Sequence, residues 1–161
     1  MKILLAIDGS GHSEAAVDEI SRQRFPPGSQ VRVLSVAASP YYSGTFSDTG
    51  MGSVYADLEN IARELARAAV EKAATTLRTD ERSRHLNVTT AVILGVPKYG
   101  ILQDAEAFGA DLIVVGSHGH GKMERFLLGS VAQAVALHAT CSVEIVRRPE
   151  ASPRSRDTTE K

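Results

Sequence analysis

The sequence is short of the residues that build covalent or metal-bound frameworks. Its 161 residues include one cysteine, Cys141. That excludes an intramolecular disulfide and a cysteine-based zinc site, each of which needs more than one thiol. A lone thiol of this kind reads as a reduced residue buried in the core. An excess of either charge is also missing: 18 Lys and Arg stand against 19 Asp and Glu, for a formal net charge of −1. Nucleic-acid binding rests on a clustered cationic footprint, so DNA and RNA are not expected partners. No apolar run approaches the roughly 20 residues that cross a bilayer. The apolar start, Lys2 to Ile7, meets Asp8 too early for a secretory signal and reads as a strand. A soluble, cytoplasmic chain without membrane contact is expected. With 43% hydrophobic and 23% charged residues, the composition is that of one ordinary globular domain.

What is present is an alternation. Apolar runs at Lys2 to Ile7, Val31 to Val36, Val88 to Leu94, Asp111 to Val115 and Val143 to Arg147 have the length and continuity of strands buried on both faces. Between them lie helical spacings. Residues 13–24 offer Ser13 as an N-cap, with Ala16, Val17 and Ile20 as the apolar stripe, ended by Pro26-Pro27-Gly28. Residues 53–79 carry Val54, Leu58, Ile61, Leu65, Ala69, Ala73 and Leu77 at steps of three or four, which predicts one core-facing stripe. Pro97 starts a third helix that runs to Gly109, and a fourth opens near Gly129-Ser130 and ends about His138. Strands and helices in this order predict a parallel sheet with right-handed crossovers and helices on both faces, with ligands bound at the carboxyl ends of the strands. Residues 37–52 form a long Ser-, Gly- and Tyr-rich connection, of the kind that is either a binding loop or disordered. Residues 149–161 read as a disordered tail, because Glu150 to Lys161 contain no large apolar residue.

The chemistry concentrates after the fourth strand, where Gly116, Gly119 and Gly129 are followed by Ser130 at the start of a helix. Glycine permits positive φ and lets a phosphate approach the main chain without a β-carbon in the way. A helix N-terminus adds unpaired amides and the positive end of the macrodipole, so the segment predicts an anion site. Residues 116–122 also spell the first seven positions of a P-loop, but the eighth is Met123, which has no hydroxyl for magnesium. The dinucleotide spacing G-x-G-x-x-G is absent as well. His118 and His120 lie two apart without an apparent third metal ligand and read as exposed loop histidines. Lys122 and Arg125 either reach a terminal phosphate or decorate an exposed basic loop. An Asp before a Gly, as at Asp8, either contacts a ligand or caps a local turn.

On these residues the chain resembles the ATP-binding branch of the universal stress protein family. That branch carries Gly, two residues, Gly, nine residues, Gly, then Ser or Thr, matched here by Gly116, Gly119, Gly129 and Ser130; Ile7-Asp8-Gly9-Ser10 and Gly95-Val96-Pro97 add to it. The resemblance spans residues 1–148. It implies an α/β fold: a single doubly wound, five-stranded parallel sheet of order 3-2-1-4-5 with helices on both faces. It further implies ATP, with magnesium, across strands one and four. Asp8 would lie by the adenosine, the Val36 backbone by the adenine edge, and Val115 and Gly116 beside the nucleoside; Gly119, Gly129, Ser130 and Val131 would cradle the phosphates. No catalytic or metal-ligating residue is implied. The function so implied is a nucleotide-dependent regulatory or interaction module of the stress response. The alternative is a slow ATPase or a phosphoryl or nucleotidyl transferase, although no magnesium anchor or nucleophile-orienting residue stands out. Members of the family pair through the last strand as homodimers. There this chain has Ser142-Val143-Glu144-Ile145 where Pro-Val-Leu-Val is common, which puts the charge of Glu144 near the expected seam.

Overall fold

The computed structural model describes residues 1–38, 52–120 and 128–148. The chain alternates β1 (Lys2–Ala6), α1 (Gly11–Arg22), β2 (Gln30–Ala38), α2 (Gly52–Thr79), β3 (Asn87–Gly95), α3 (Pro97–Phe108), β4 (Leu112–Gly116), α4 (Ser130–His138) and β5 (Ser142–Val146). All strand pairs are parallel, and the order is β3-β2-β1-β4-β5, as expected from the resemblance. The first two crossovers step from β1 out to β3. The third returns past β1 to β4, and the fourth continues outward to β5. Right-handed crossovers that reverse direction put their helices on opposite faces, so α1 and α2 cover one face of the sheet and α3 and α4 the other.

Side chains on each strand divide accordingly. Ile3, Leu5 and Ile7 join Ala16, Val17 and Ile20 of α1 and Val70, Ala73, Ala74 and Leu77 of α2 in one core. Leu4 and Ala6 meet Ile101 and Ala105 of α3 and Ala132 and Val135 of α4 in the other. The three central strands β2, β1 and β4 each contribute alternate residues to both cores.

The helix limits follow local chemistry. Ser10, not Ser13, caps α1: its Oγ accepts from the Ser13 N–H at 3.3 Å. The helix therefore begins at Gly11 and ends at Arg22, short of the Pro26-Pro27-Gly28 stop. Pro97 opens α3, and Gly109, with φ 68°, closes it by donating to Glu106 O at 3.0 Å, a left-handed turn that glycine adopts without a β-carbon penalty.

The stripe of α2 departs from expectation. Ala66, Val70, Ala73, Ala74 and Leu77 are buried, but Val54, Leu58, Ile61 and Leu65 are exposed. At 1.5 Å per residue, its 28 residues extend about 42 Å, against about 18 Å for the 12 residues of α1 on the same face. The first half of α2 outruns the layer that its second half packs on.

At the outer edge, the Nη2 of Arg78 in α2 donates to the Val88 carbonyl oxygen of β3 at 2.9 Å. Cys141, expected in the core, is half-buried and packs only against the margin of the second core. Burial pushes its thiol pKa up, with Asp111 adding to the effect. Among the described residues, no helix is long and apolar enough to cross a membrane. The tail at 149–161 lies outside the described residues.

Candidate functional site

Helices on opposite faces leave a crevice at the carboxyl ends of β1 and β4, where the crossover direction reverses; open parallel sheets bind ligands at such points. A cavity of about 250 Å³ lies there, a little under the roughly 300 to 1,000 Å³ of pockets that enclose small molecules. Its floor is apolar, from Ala6, Ile7, Leu34, Val36, Ile101 and Val115, and its polar wall includes Asp8, Ser13, His118 and Ser130. The residues that the family resemblance set beside a nucleotide all line this one cavity: Asp8, Val36, Val115, Gly116, Gly119, Gly129, Ser130 and Val131. They come from β1, β2, β4 and the start of α4, so the sheet brings together positions more than 120 residues apart.

Asp8 leaves β1 into a turn at Gly9, whose φ is 81°. Its Oδ1 accepts from the Ser10 N–H at 2.9 Å, so one carboxylate oxygen holds the turn. The other, Oδ2, faces Gly119: a β-carbon there would stand 2.6 Å from it. The two roles weighed for Asp8, turn cap and cavity wall, therefore fall to its two oxygens. His120 crosses above and donates from Nε2 to the Asp8 carbonyl oxygen at 2.7 Å.

The motif glycines act through close approach rather than through unusual φ. Positive φ occurs among the described glycines at Gly9, Gly28, Gly95 and Gly109, not at Gly116, Gly119 or Gly129. A β-carbon on Gly116 would lie 2.8 Å from the His12 carbonyl carbon, and one on Gly129 would lie 3.2 Å from both His118 Cα and the Ser117 carbonyl oxygen. Main chain thus packs on main chain where α1, the β4 exit and the α4 entrance converge. Gly129 is the N-cap of α4 and Ser130 its first helical residue, and no side chain bonds to the cap. The first-turn amides of α4 have no intrahelical acceptors and stand at the positive end of its dipole.

His118 is not the exposed loop residue the sequence suggested. It is half-buried, and its Nδ1 lies 3.0 Å from Ser117 Oγ; His120 is exposed. Sequence reasoning missed His12 and Ser117. Their one signal was polarity two residues after a capping serine and at a buried strand exit, which does not reveal that α1 meets the end of β4. Lys122, Arg125 and most of the 37–52 connection lie outside the described residues. Among the described residues, no three His, Cys, Asp or Glu side chains gather as metal ligands. Glu144 turns away from the edge of β5: its Oε1 accepts from Gln23 Nε2 at 2.7 Å, at the end of α1.

The universal stress protein family matches residues 1–147 of this chain. Universal stress protein A homolog 1 of Coxiella burnetii is 33% identical over 143 residues, covering 88% of this chain and 92% of the relative. Among solved structures, hypothetical protein MJ0577 superposes with a TM-score of 0.79 at 25% identity, covering 93% of this chain and 97% of the other. A family protein from Arabidopsis thaliana, solved with AMP bound, has a TM-score of 0.60 at 16% identity, covering 92% of each chain.

Proposed function

This chain belongs to the universal stress protein family, and we propose that it binds an adenine nucleotide, ATP with magnesium, as a regulatory or interaction module of the stress response. The observation that carries this reading is the cavity at the β1–β4 switch point, with an apolar floor at one end and a helix N-terminus at the other. That division suits a ligand with a flat apolar base and an anionic tail. The base would lie over Val36 and Val115, with the sugar between Asp8 and Gly116. The phosphates would lie against Gly119, Gly129, Ser130 and Val131, where the two glycines leave room and the first turn of α4 presents its N–H groups. Magnesium would enter with the phosphates, neutralising their charge. The AMP bound to the Arabidopsis relative accords with an adenine nucleotide as the ligand class.

We read residues 1–148 as the working unit, cytoplasmic and non-catalytic, pairing as a homodimer along β5. Val143 and Ile145 on that strand are half-buried against the α3–α4 core. Glu144 is satisfied by Gln23, so its charge does not oppose the seam. Glu144→Leu is expected to leave the monomer–dimer balance unchanged, and sedimentation across a dilution series measures it.

The nucleotide content of freshly purified protein tests the main reading. Co-purified ATP supports a slow-exchange binding module, ADP would point to turnover, and an empty site with no ATP binding by titration calorimetry would remove the assignment. Gly129→Asp is expected to abolish ATP binding, through a carboxylate set among the phosphates and their amides. Unchanged affinity in that variant would reject the phosphate cradle.

A further inference from the structure

A glycine stands inside α3 where neither a turn nor a cap calls for one. Gly100 falls in the first turn of the helix, and its N–H donates to the Val96 carbonyl oxygen at 3.0 Å. It is buried, and it is not among the glycines with positive φ. Glycine is a poor helix former, so local structure alone disfavours it here.

Close packing supplies the reason. A β-carbon on Gly100 would stand 2.9 Å from Ile93 Cδ1, and 3.1 and 3.2 Å from the two γ-carbons of Val36. Val36 and Ile93 are register partners on β2 and β3, and both pack against the second core. Their side chains therefore stand side by side on the sheet, and α3 comes down over them at its single glycine.

The two neighbours differ in what they can yield and in what lies beyond them. Cδ1 is the far end of a flexible isoleucine, and Ile93 does not line the cavity. Valine is stiff about χ1, and both of its methyl groups face Gly100. Turning the side chain withdraws one methyl and leaves the other in place, so relief at Val36 requires the residue to move as a whole. Val36 also borders the apolar end of the cavity, with Leu34, Pro97 and Ile101. Gly100 itself does not reach the cavity, so any influence it has there passes through Val36.

We propose that Gly100 is a positioning residue of the base end: its missing β-carbon lets Val36 seat against α3, which keeps the cavity open to a flat base. This rests on the cavity being a nucleotide site, and it adds a residue outside the lining to those that set what the site accepts. A side chain at position 100 moves Val36 into the space the base occupies. The phosphate end, at the start of α4, is untouched.

Titration calorimetry of the full chain tests this. Gly100→Ala should weaken adenosine and ATP by the same factor, about fivefold, in the range of mild overpacking. In a chain that already carries Val36→Ala, adding Gly100→Ala should change either affinity by less than about twofold. In an Ile93→Val background the full loss should remain. Unchanged affinity in folded Gly100→Ala, or a loss relieved by Ile93→Val and not by Val36→Ala, would overturn the proposal. A merely structural role lowers the melting temperature without this dependence on Val36. Should Gly100→Ala not fold, Val36→Ala must restore folding, and restoration by Ile93→Val alone would overturn the proposal. If wild type binds neither adenosine nor ATP, the nucleotide reading falls instead, and xenon, which enters apolar cavities, decides this one. Xenon pressure on the ligand-free protein should shift the Ile101 and Val115 methyl resonances less in Gly100→Ala than in wild type, with the response restored by Val36→Ala. Equal shifts in wild type and Gly100→Ala would overturn it.

Discussion

The two halves of α2 carry the same apolar spacing and meet different surroundings. In the second half, Val70 and Leu77 are 2% and 0% exposed; in the first, Val54, Leu58, Ile61 and Leu65 are 48, 48, 56 and 69% exposed. The spacing reports which side of a helix is apolar. It does not report how far the layer beneath that side extends, which depends on the lengths of α1 and of the strands. The same contrast runs through the molecule. The two faces of the sheet are covered by packed side chains, whereas its carboxyl end is built from turns, close main-chain approaches and a cavity.

Substitutions along this divide should separate the two regions. The largest stability effect is expected from Leu77→Ala, which empties a fully enclosed site and should cost about 2 to 5 kcal/mol in chemical denaturation. A loss below about 1 kcal/mol would break the contrast between the halves of α2. Next is Gly116→Ala, where the new β-carbon meets the His12 main chain at 2.8 Å; backbone cannot swing aside, and overpacking of this kind costs about 1 to 3 kcal/mol. Gly119→Ala should cost less, because its β-carbon meets the movable Asp8 carboxylate. It should instead weaken nucleotide binding by displacing Asp8, which calorimetry with adenosine measures. Leu65→Ala should change stability by no more than about 0.5 kcal/mol. Ser130→Ala should be equally mild, since Gly129 occupies the cap; a loss near the roughly 1 kcal/mol of a removed N-cap would show that the hydroxyl holds the helix after all.

Much of this architecture was legible because it follows from periodicity. Continuous apolar runs mark strands with both faces covered, and their alternation with helices leaves few topologies. Strand order and the residues proposed to touch nucleotide were reached through the resemblance that Gly116, Gly119, Gly129 and Ser130 carry. Local signals resolved less well. Ser13 read as the cap of α1, whereas the turn at Gly9 puts Ser10 in that place. Glu144 read as a charge at an edge because its partner Gln23 is 121 residues away in sequence. His12 and Ser117 escaped, and His118 read as exposed, for the same reason: what joins them is the return of α1 to the end of β4, a tertiary contact with no sequence periodicity.

The bond from Arg78 to the Val88 carbonyl bears on how many copies can join. A parallel sheet has two outer strands, here β3 and β5, and unpaired backbone on both would let chains add in rows without limit. The guanidinium of α2 occupies an acceptor on the nine-residue strand β3 and interrupts the template there. One acceptor of that outer strand is thus satisfied from within the chain, by an arginine far from the cavity.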